Sequence, residues 1–302
     1  MKECIVSLAT LLFLVGCATR SAPVAASPPR AEMLPPPVAA PPPGDPVIWP
    51  GDAPFIHARH AIMIDAHTGR TLYQKFADTR IPVASTQKLL TALLIVERGN
   101  LDGRLIVPAA ATHVEPAKLY LRAGQSYPRR TLLAAMMVKS ENDAAAALAI
   151  DHSGSMAAFA EAMNRKAWAL GARHSHFANA HGLPAAQYST ARDMVRIAFY
   201  AYREPELRRW MNCSRYTFVY ADGRTKVLEA TNKLLERSFI YNGMKTGYTF
   251  AAGRCLISSA SVGGRAVILA QFGSKTNYIF DDAEHLMRWG LSRTGWGMLA
   301  SH

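Results

Sequence analysis

Along this chain of 302 residues the apolar positions alternate, then fall at three- and four-residue intervals, then alternate again. Residues 60–76 (HAIMIDAHTGRTLYQKF) read as two strands around a Thr68-Gly69 turn. From Ser85 to Arg98 the leucines 89, 90, 93 and 94 and Val96 recur at helical spacing. The signal stays mostly helical from about 102 to 212. It includes the alanine-rich run after Asn142 and the stretches 155–170 and 191–210, punctuated by Gly171, Gly182 and Pro184. Alternation returns at 215–220 and 227–230 around Asp222-Gly223, then at 244–249, 254–261 and 265–272, the last two joined across Gly263-Gly264. Residues 277–291 close as a helix, and there is no internal repeat. Strands at both ends with helices between predict an α+β fold. One antiparallel sheet is built from both termini, with a helical insertion packed beside it.

The first residues carry a different message. Residues 5–15 form an apolar run behind Lys2. It is too short for the about 20 residues that span a bilayer, and reads as a secretory signal over residues 1–16. It ends Leu14-Val15-Gly16-Cys17, which resembles the lipobox of bacterial lipoproteins. The resemblance implies cleavage before Cys17 and acylation of its sulfur and new amino group. Two or three chains at about 0.8 kcal/mol per buried CH₂ hold a protein to a bilayer where one does not. Ala18 follows, where an Asp would have suggested inner-membrane retention, so the outer membrane is expected, with the domain facing the periplasm. Residues 17–55 make a proline-rich, polyproline-II-prone tether that extends about 3.1 Å per residue, and the domain proper runs over 56–302.

Half of the residues are hydrophobic, enough for a sizeable core, and the net charge is +12. Basic residues are scattered and no nucleic-acid motif accompanies them, so a solvated basic surface is expected and nucleic acid is not a partner. Cys213 and Cys255 are the cysteines of the domain. An oxidising compartment permits a disulfide, while the apolar run RCLISSA suits a core cysteine; both readings stand. His174 and His176 lack a Cys, Asp or Glu partner at ligand spacing and read as a surface loop. Asp193 and Asn179 read as local hydrogen-bonding residues.

Three short motifs carry chemistry: Ser85-Thr86-Gln87-Lys88, Ser140-Glu141-Asn142 and Lys245-Thr246-Gly247. In the first, serine and lysine share a helix face, so Lys88 Nζ can reach Ser85 Oγ. Serine is a poor nucleophile until its proton is taken. A lysine with its ordinary pKa of about 10.4 must drop by about three, roughly 4 kcal/mol, to serve as that base. Burial and a second ammonium push that way, and Lys245 is the candidate. The helix N-terminus sets backbone N–H groups beside Ser85, where an oxyanion needs donors. On a strand, Lys245 and Gly247 face one way and Thr246 the other. Glycine there leaves room for a substrate backbone along the strand edge. Lysine and threonine suit a substrate that ends in a carboxylate. Ser140 offers a hydroxyl that relays a proton, and Asn142 an amide that holds a peptide carbonyl. A single S-x-x-K is ordinarily an N-cap and a solvated lysine; three motifs in this order are another matter.

Over about Arg59 to Trp296 the sequence resembles the serine-type D-alanyl-D-alanine carboxypeptidases, the low-molecular-mass penicillin-binding proteins. Besides the motifs it shares IDAHTGRTLY, ANAHGLP, YSTARDM, TNKLL and GMKTGYTFAAGRCLISSA. The resemblance implies a D,D-peptidase/β-lactamase-like fold, an antiparallel sheet flanked by helices with a mostly helical subdomain. It implies peptidoglycan stem peptides as substrates, β-lactams as covalent inhibitors, and no metal or organic cofactor. Ser85 would form the acyl-enzyme, Lys88 act as base and Ser140 shuttle the proton. Lys245 and Thr246 would hold the terminal carboxylate, Asn142 and Gly247 the peptide, and the N–H groups of Ser85 and Tyr248 the oxyanion. Carboxypeptidase action is favoured over cross-link-cleaving endopeptidase action; a β-lactamase or a wall-binding protein without catalysis are further alternatives. Three departures stand out. Glu141 occupies the middle of S-x-N where relatives often carry glycine. Thr231 and Ser274-Lys275 stand where some relatives carry carboxylate-binding arginines. Relatives usually add a β-domain and C-terminal amphipathic anchor; with the sequence ending at His302, an N-terminal lipid is expected to replace that anchor. The Glu204-Pro205-Glu206-Leu207 segment, nearest to a β-lactamase water-positioning loop, reads as a surface helix turn.

Overall fold

The computed structural model describes residues 52–275 and 278–294. The signal segment, Cys17 and nearly all of the tether lie outside the described residues. Among those described, no helix is long and apolar enough to cross a membrane.

Strands β1 (His60–Asp65) and β2 (Thr71–Lys75) come from the N-terminal side of the domain, β7 (Tyr241–Thr249), β8 (Gly253–Val262) and β9 (Arg265–Ser274) from the C-terminal side. They form one antiparallel five-stranded sheet in the order β2-β1-β9-β8-β7. β7, which carries the K-T-G motif, is therefore an edge strand. The sheet is buried on both faces, and the pleat sorts its side chains. Ile62, Ile64, Ile257, Ile268 and Ala270 enter the core shared with the helical insertion. Met63, Leu256, Val267 and Leu269 enter a second core under α7 (Ile279–Arg293), packing with Ala283, Leu286 and Met287. The expected α+β sheet of both termini is the observed one, and the described part of the last helix starts at Ile279.

α1 (Lys88–Arg98) precedes the stretch 102–212 expected as the insertion, which holds α2 (Arg129–Val138), α3 (Asn142–Ser153), α4 (Met156–Ala169), α5 (Ala191–Arg203) and α6 (Pro205–Met211). α3 is its axis. Residues Asn142 to Ala149 are all buried, and their small alanines let α1, α2 and α4 close in around it. Two details depart from the sequence reading. Ser85 does not open an α-helix: it lies in a 3₁₀ turn, Ala84–Gln87, and α1 begins at Lys88. The insertion also contains a short ribbon, β3 (Arg104–Ile106) with β4 (Ser126–Pro128), whose three-residue strands are too brief to show a period. The hairpin β5 (Arg215–Val219) and β6 (Thr225–Glu229) forms as expected.

Candidate active site

Three elements converge where the helical insertion meets the edge strand: the 3₁₀ turn with Ser85, the junction between α2 and α3 with Ser140, and β7 with Lys245. In a 3₁₀ helix, side chains three apart eclipse one another, so Lys88 points straight back at Ser85. The distance from Nζ to Ser85 Oγ is 2.8 Å. The backbone before or at each motif is held with φ positive at a non-glycine residue: Ala84 (48°), Ser140 (70°) and Met244 (127°). Such conformations cost about 1–3 kcal/mol each and persist only where the surroundings enforce them.

The surroundings do so through close backbone packing. Gly247 lies against the nucleophile turn, and a Cβ added there would meet Ser85 N at 2.9 Å and Ala84 Cβ at 3.0 Å. Its missing side chain makes room for the turn, a role that the sequence reading had given to the substrate. Gly182 (φ 86°) presses from the other side, where a Cβ would lie 2.2 Å from the Ala84 carbonyl oxygen.

Lys88 is fully buried and Nζ has oxygen neighbours in four residues: Asn142 Oδ1 at 2.6 Å, the His181 carbonyl at 2.7 Å, Ser85 Oγ at 2.8 Å and Ser140 Oγ at 3.3 Å. The first two can only accept. A free-base lysine gives its two N–H bonds to them and keeps its lone pair for a hydroxyl proton. Burial holds Lys88 well below the ordinary lysine range, the Lys245 ammonium adds to that, and Glu141 opposes it. Lys245 is 1% exposed, donates to the Thr246 carbonyl at 3.1 Å, and is brought down to about 7 by burial. The arrangement can therefore take a proton from Ser85 near neutral pH.

Asn142 is 3% exposed. Its Oδ1 serves Lys88, and Nδ2 donates to the Pro116 carbonyl at 2.6 Å, leaving one N–H for another acceptor. The loop that supplies Pro116 and Ala117 is held by Asp143, whose carboxylate accepts from Leu119 N and Leu121 N at 3.0 and 3.1 Å. Thr246 Oγ1 donates to Thr231 Oγ1 at 2.6 Å. Glu141 is buried, with Lys226 Nζ of β6 at 3.6 Å, and burial pushes its carboxyl up against that pairing. Tyr248 stands exposed at the mouth of a cleft of about 760 Å³ that also reaches Ser85, Ser140 and Thr246.

Sequence reasoning missed two contributors. His181 offers its main-chain carbonyl to Lys88 and Ser85; its imidazole, driven down to about 3 by burial and the Lys88 charge, is no proton carrier near neutrality. ANAHGLP was visible as a shared segment, but nothing in the letters marks a main-chain acceptor. Arg254, two residues past Ala252, lines the cleft. Other candidates sit elsewhere. Asn179 and Asp193 bind local backbone N–H groups and Ser175, His174 and His176 lie in that loop, and the described residues contain no metal-binding cluster. Cys213 and Cys255 are both free, and burial pushes the Cys255 thiol up to about 12. Glu206 pairs with Arg130 and accepts from Trp210 Nε1.

The family model described as D-alanyl-D-alanine carboxypeptidase matches residues 50–276. A D-alanyl-D-alanine endopeptidase of Pseudomonas aeruginosa is 31% identical over 297 residues, which covers 96% of this chain and 89% of that protein. A D-alanyl-D-alanine carboxypeptidase of Streptomyces sp. (strain K15) is 33% identical over 258 residues, 79% of this chain and 89% of that one. The crystal structure of a D-alanyl-D-alanine carboxypeptidase from Mycobacterium tuberculosis H37Rv matches with a TM-score of 0.76 at 29% identity, over 80% of this chain and 93% of that one.

Proposed function

Since this chain belongs to the D-alanyl-D-alanine carboxypeptidase family, a family of serine-type hydrolases, we propose that Ser85, Lys88 and Ser140 cleave D-alanyl bonds of peptidoglycan stem peptides. The observation that carries the reading is the buried Lys88 amine, 2.8 Å from Ser85 Oγ with two obligate acceptors already supplied. Ser85 Oγ attacks the penultimate D-alanine carbonyl as Lys88 takes its proton. The oxyanion forms at the N–H groups of Ser85 and Tyr248. Ser140, 3.3 Å from the lysine, passes the proton to the departing amine, the C–N bond breaks, and an ester on Ser85 remains. Water, deprotonated by the same lysine, releases the acid. Lys245 and Thr246 hold the terminal carboxylate and Asn142 gives its remaining N–H to the peptide. β-Lactams acylate the same serine.

Cross-link cleavage through the same ester is the second reading. It is favoured by the endopeptidase relative that matches across 96% of this chain. Digestion of purified muropeptides, followed by mass spectrometry, tests both. Pentapeptide monomers losing one alanine support the first, dimers falling to monomers the second; neither change with active-looking protein would overturn the assignment.

The same reading extends to residues 1–55. The apolar run, Leu14-Val15-Gly16-Cys17 and the proline-rich segment support a lipid on Cys17 and a tether from the outer membrane, with the domain working in the wall layer.

A further inference from the structure

The cleft at Ser85 continues beyond Thr246. Residues directly opposite in an antiparallel pair share a face of the sheet. The register sets Thr246 opposite Leu256 and Tyr248 opposite Arg254. Leu256 belongs to the core under α7, so Thr246, Tyr248 and Arg254 stand on the α7 side of the edge strand. Ser85 meets Gly247 on the other side. The cleft wraps over that edge and runs on from Thr246 to Thr231, Arg237, Arg254 and Phe280. Its volume of about 760 Å³ is of the size that holds a drug-sized ligand, about 300–1,000 Å³, and far more than one alanine fills.

The charges in this extension are unequal. Arg237 is committed to Asp281 at 2.6 Å and Glu284 at 3.1 Å, and Lys233 to Glu236 at 3.5 Å. Arg254 has no carboxylate partner among the described residues. Its guanidinium carbon lies 5.6 Å from the centroid of the Tyr248 ring, which keeps the planar fork beside the cleft. A half-exposed arginine held there is suited to bidentate binding of a carboxylate.

Resting on the D,D-peptidase reading above, we propose that Arg254 is a specificity-determining residue that binds a carboxylate on the leaving group, beyond the residue held at Thr246. The substrate class this selects is an acidic peptide cross-linked through the scissile D-alanyl bond, whose departing amine carries further carboxylates that free D-alanine lacks.

The test compares the wild type with Arg254→Ala and Arg254→Lys on two substrates, a pentapeptide monomer and a cross-linked muropeptide dimer, the latter with its further carboxyl groups free or amidated and the one held at Lys245 and Thr246 left free in both. Penicillin acylation of each variant normalises for intact Ser85. Loss of a charge-assisted contact should lower the dimer-to-monomer ratio of kcat/KM by about 10-fold or more in Arg254→Ala, through KM, with partial retention in the lysine variant. Amidation should lower the wild-type ratio to that of Arg254→Ala and leave the alanine variant unaffected. An unchanged ratio in Arg254→Ala, or equal wild-type rates on free and amidated dimers, would overturn the proposal. Wild type that trims monomers and never cuts dimers overturns it too, while leaving D-alanine release intact. Wild type that penicillin fails to acylate removes the reading beneath it as well.

Discussion

Gly247 and Ser85 are in such close contact that a single methyl group cannot be placed between them: a Cβ on Gly247 would lie 2.9 Å from the Ser85 nitrogen. The sheet edge and the nucleophile turn are thereby fixed to each other. Gly247→Ala should cost about 1–3 kcal/mol through overpacking and shift Ser85 relative to Lys88. Penicillin acylation should slow by about 10-fold or more, as displaced reacting groups do. Acylation at the wild-type rate would mean that the turn yields freely.

Gly182 and Gly154 separate conformational strain from close approach. Both have positive φ, 86° and 82°, but a Cβ on Gly154 meets nothing within 4 Å whereas one on Gly182 runs into the Ala84 carbonyl. Gly154→Ala should lose only the about 1–2 kcal/mol of a left-handed backbone and label with fluorescent penicillin as the wild type does. Gly182→Ala should lose labelling and melt at a lower temperature than Gly154→Ala. Equal behaviour of the two would show that the HGLP segment does not seat the turn.

Glu141 sets the sign of a pH effect. Its carboxylate is faced by Lys226 from β6, by Lys139 and Asp143 along its own segment, by Tyr220 of the hairpin and by Lys88. A negative charge there favours the Lys88 ammonium, and acylation needs the free base. Acylation should therefore fall as pH drops through the Lys88 pKa, and Glu141→Gln should move that acid limb to lower pH. Asn142→Asp, which adds a carboxylate where Oδ1 lies 2.6 Å from Nζ, should move it upward. The check is the pH profile of penicillin acylation in the three proteins; superimposed limbs would disprove the coupling.

The segment nearest to a β-lactamase water-positioning loop, Glu204-Pro205-Glu206-Leu207, opens α6, with Glu204 at its N-cap and Glu206 tied to Arg130 and Trp210, and neither carboxylate is among the residues that line the cleft. With that segment away from the cleft, the penicilloyl ester should persist for minutes or longer. Intact-protein mass spectrometry should show a stable adduct on Ser85, absent from Ser85→Ala, with negligible nitrocefin turnover. Several turnovers per second would make the protein a β-lactamase.

Cys17 provides a prediction independent of the site. Cys17→Ser should abolish palmitate labelling and move the protein out of the membrane fraction, while the purified domain keeps its penicillin acylation. Labelling that survives the substitution would remove the lipid anchor.

The sheet was legible because the pleat leaves a period-two trace: Ile62 and Ile64 go to one core, Met63 to the other. The Ser85–Lys88 contact was legible because it is local, three residues within one turn. What escaped detection is of another kind. The carbonyls of His181 and Pro116 that hold Lys88 and Asn142 are main-chain atoms, identical in every residue, brought in from up to 93 positions away. Gly247 was visible as a glycine, yet only the fold shows that its neighbour is the Ser85 nitrogen. Asn142 reads as a substrate amide from its motif, while its burial shows an Oδ1 already spent on the lysine.

Among the described residues β7 pairs with no strand on its outer side, where the sheet ends. An unguarded edge of this kind is an invitation to pair with a second copy and, in the extreme, to aggregate. Here the 3₁₀ turn with Ser85 packs against β7, and Ala117 lines the same cleft as Thr246 and Gly247. The active-site turn is thus also a cover for the end of the sheet: the strand that carries Lys245, Thr246 and Gly247 meets the chain's own residues along part of its outer side.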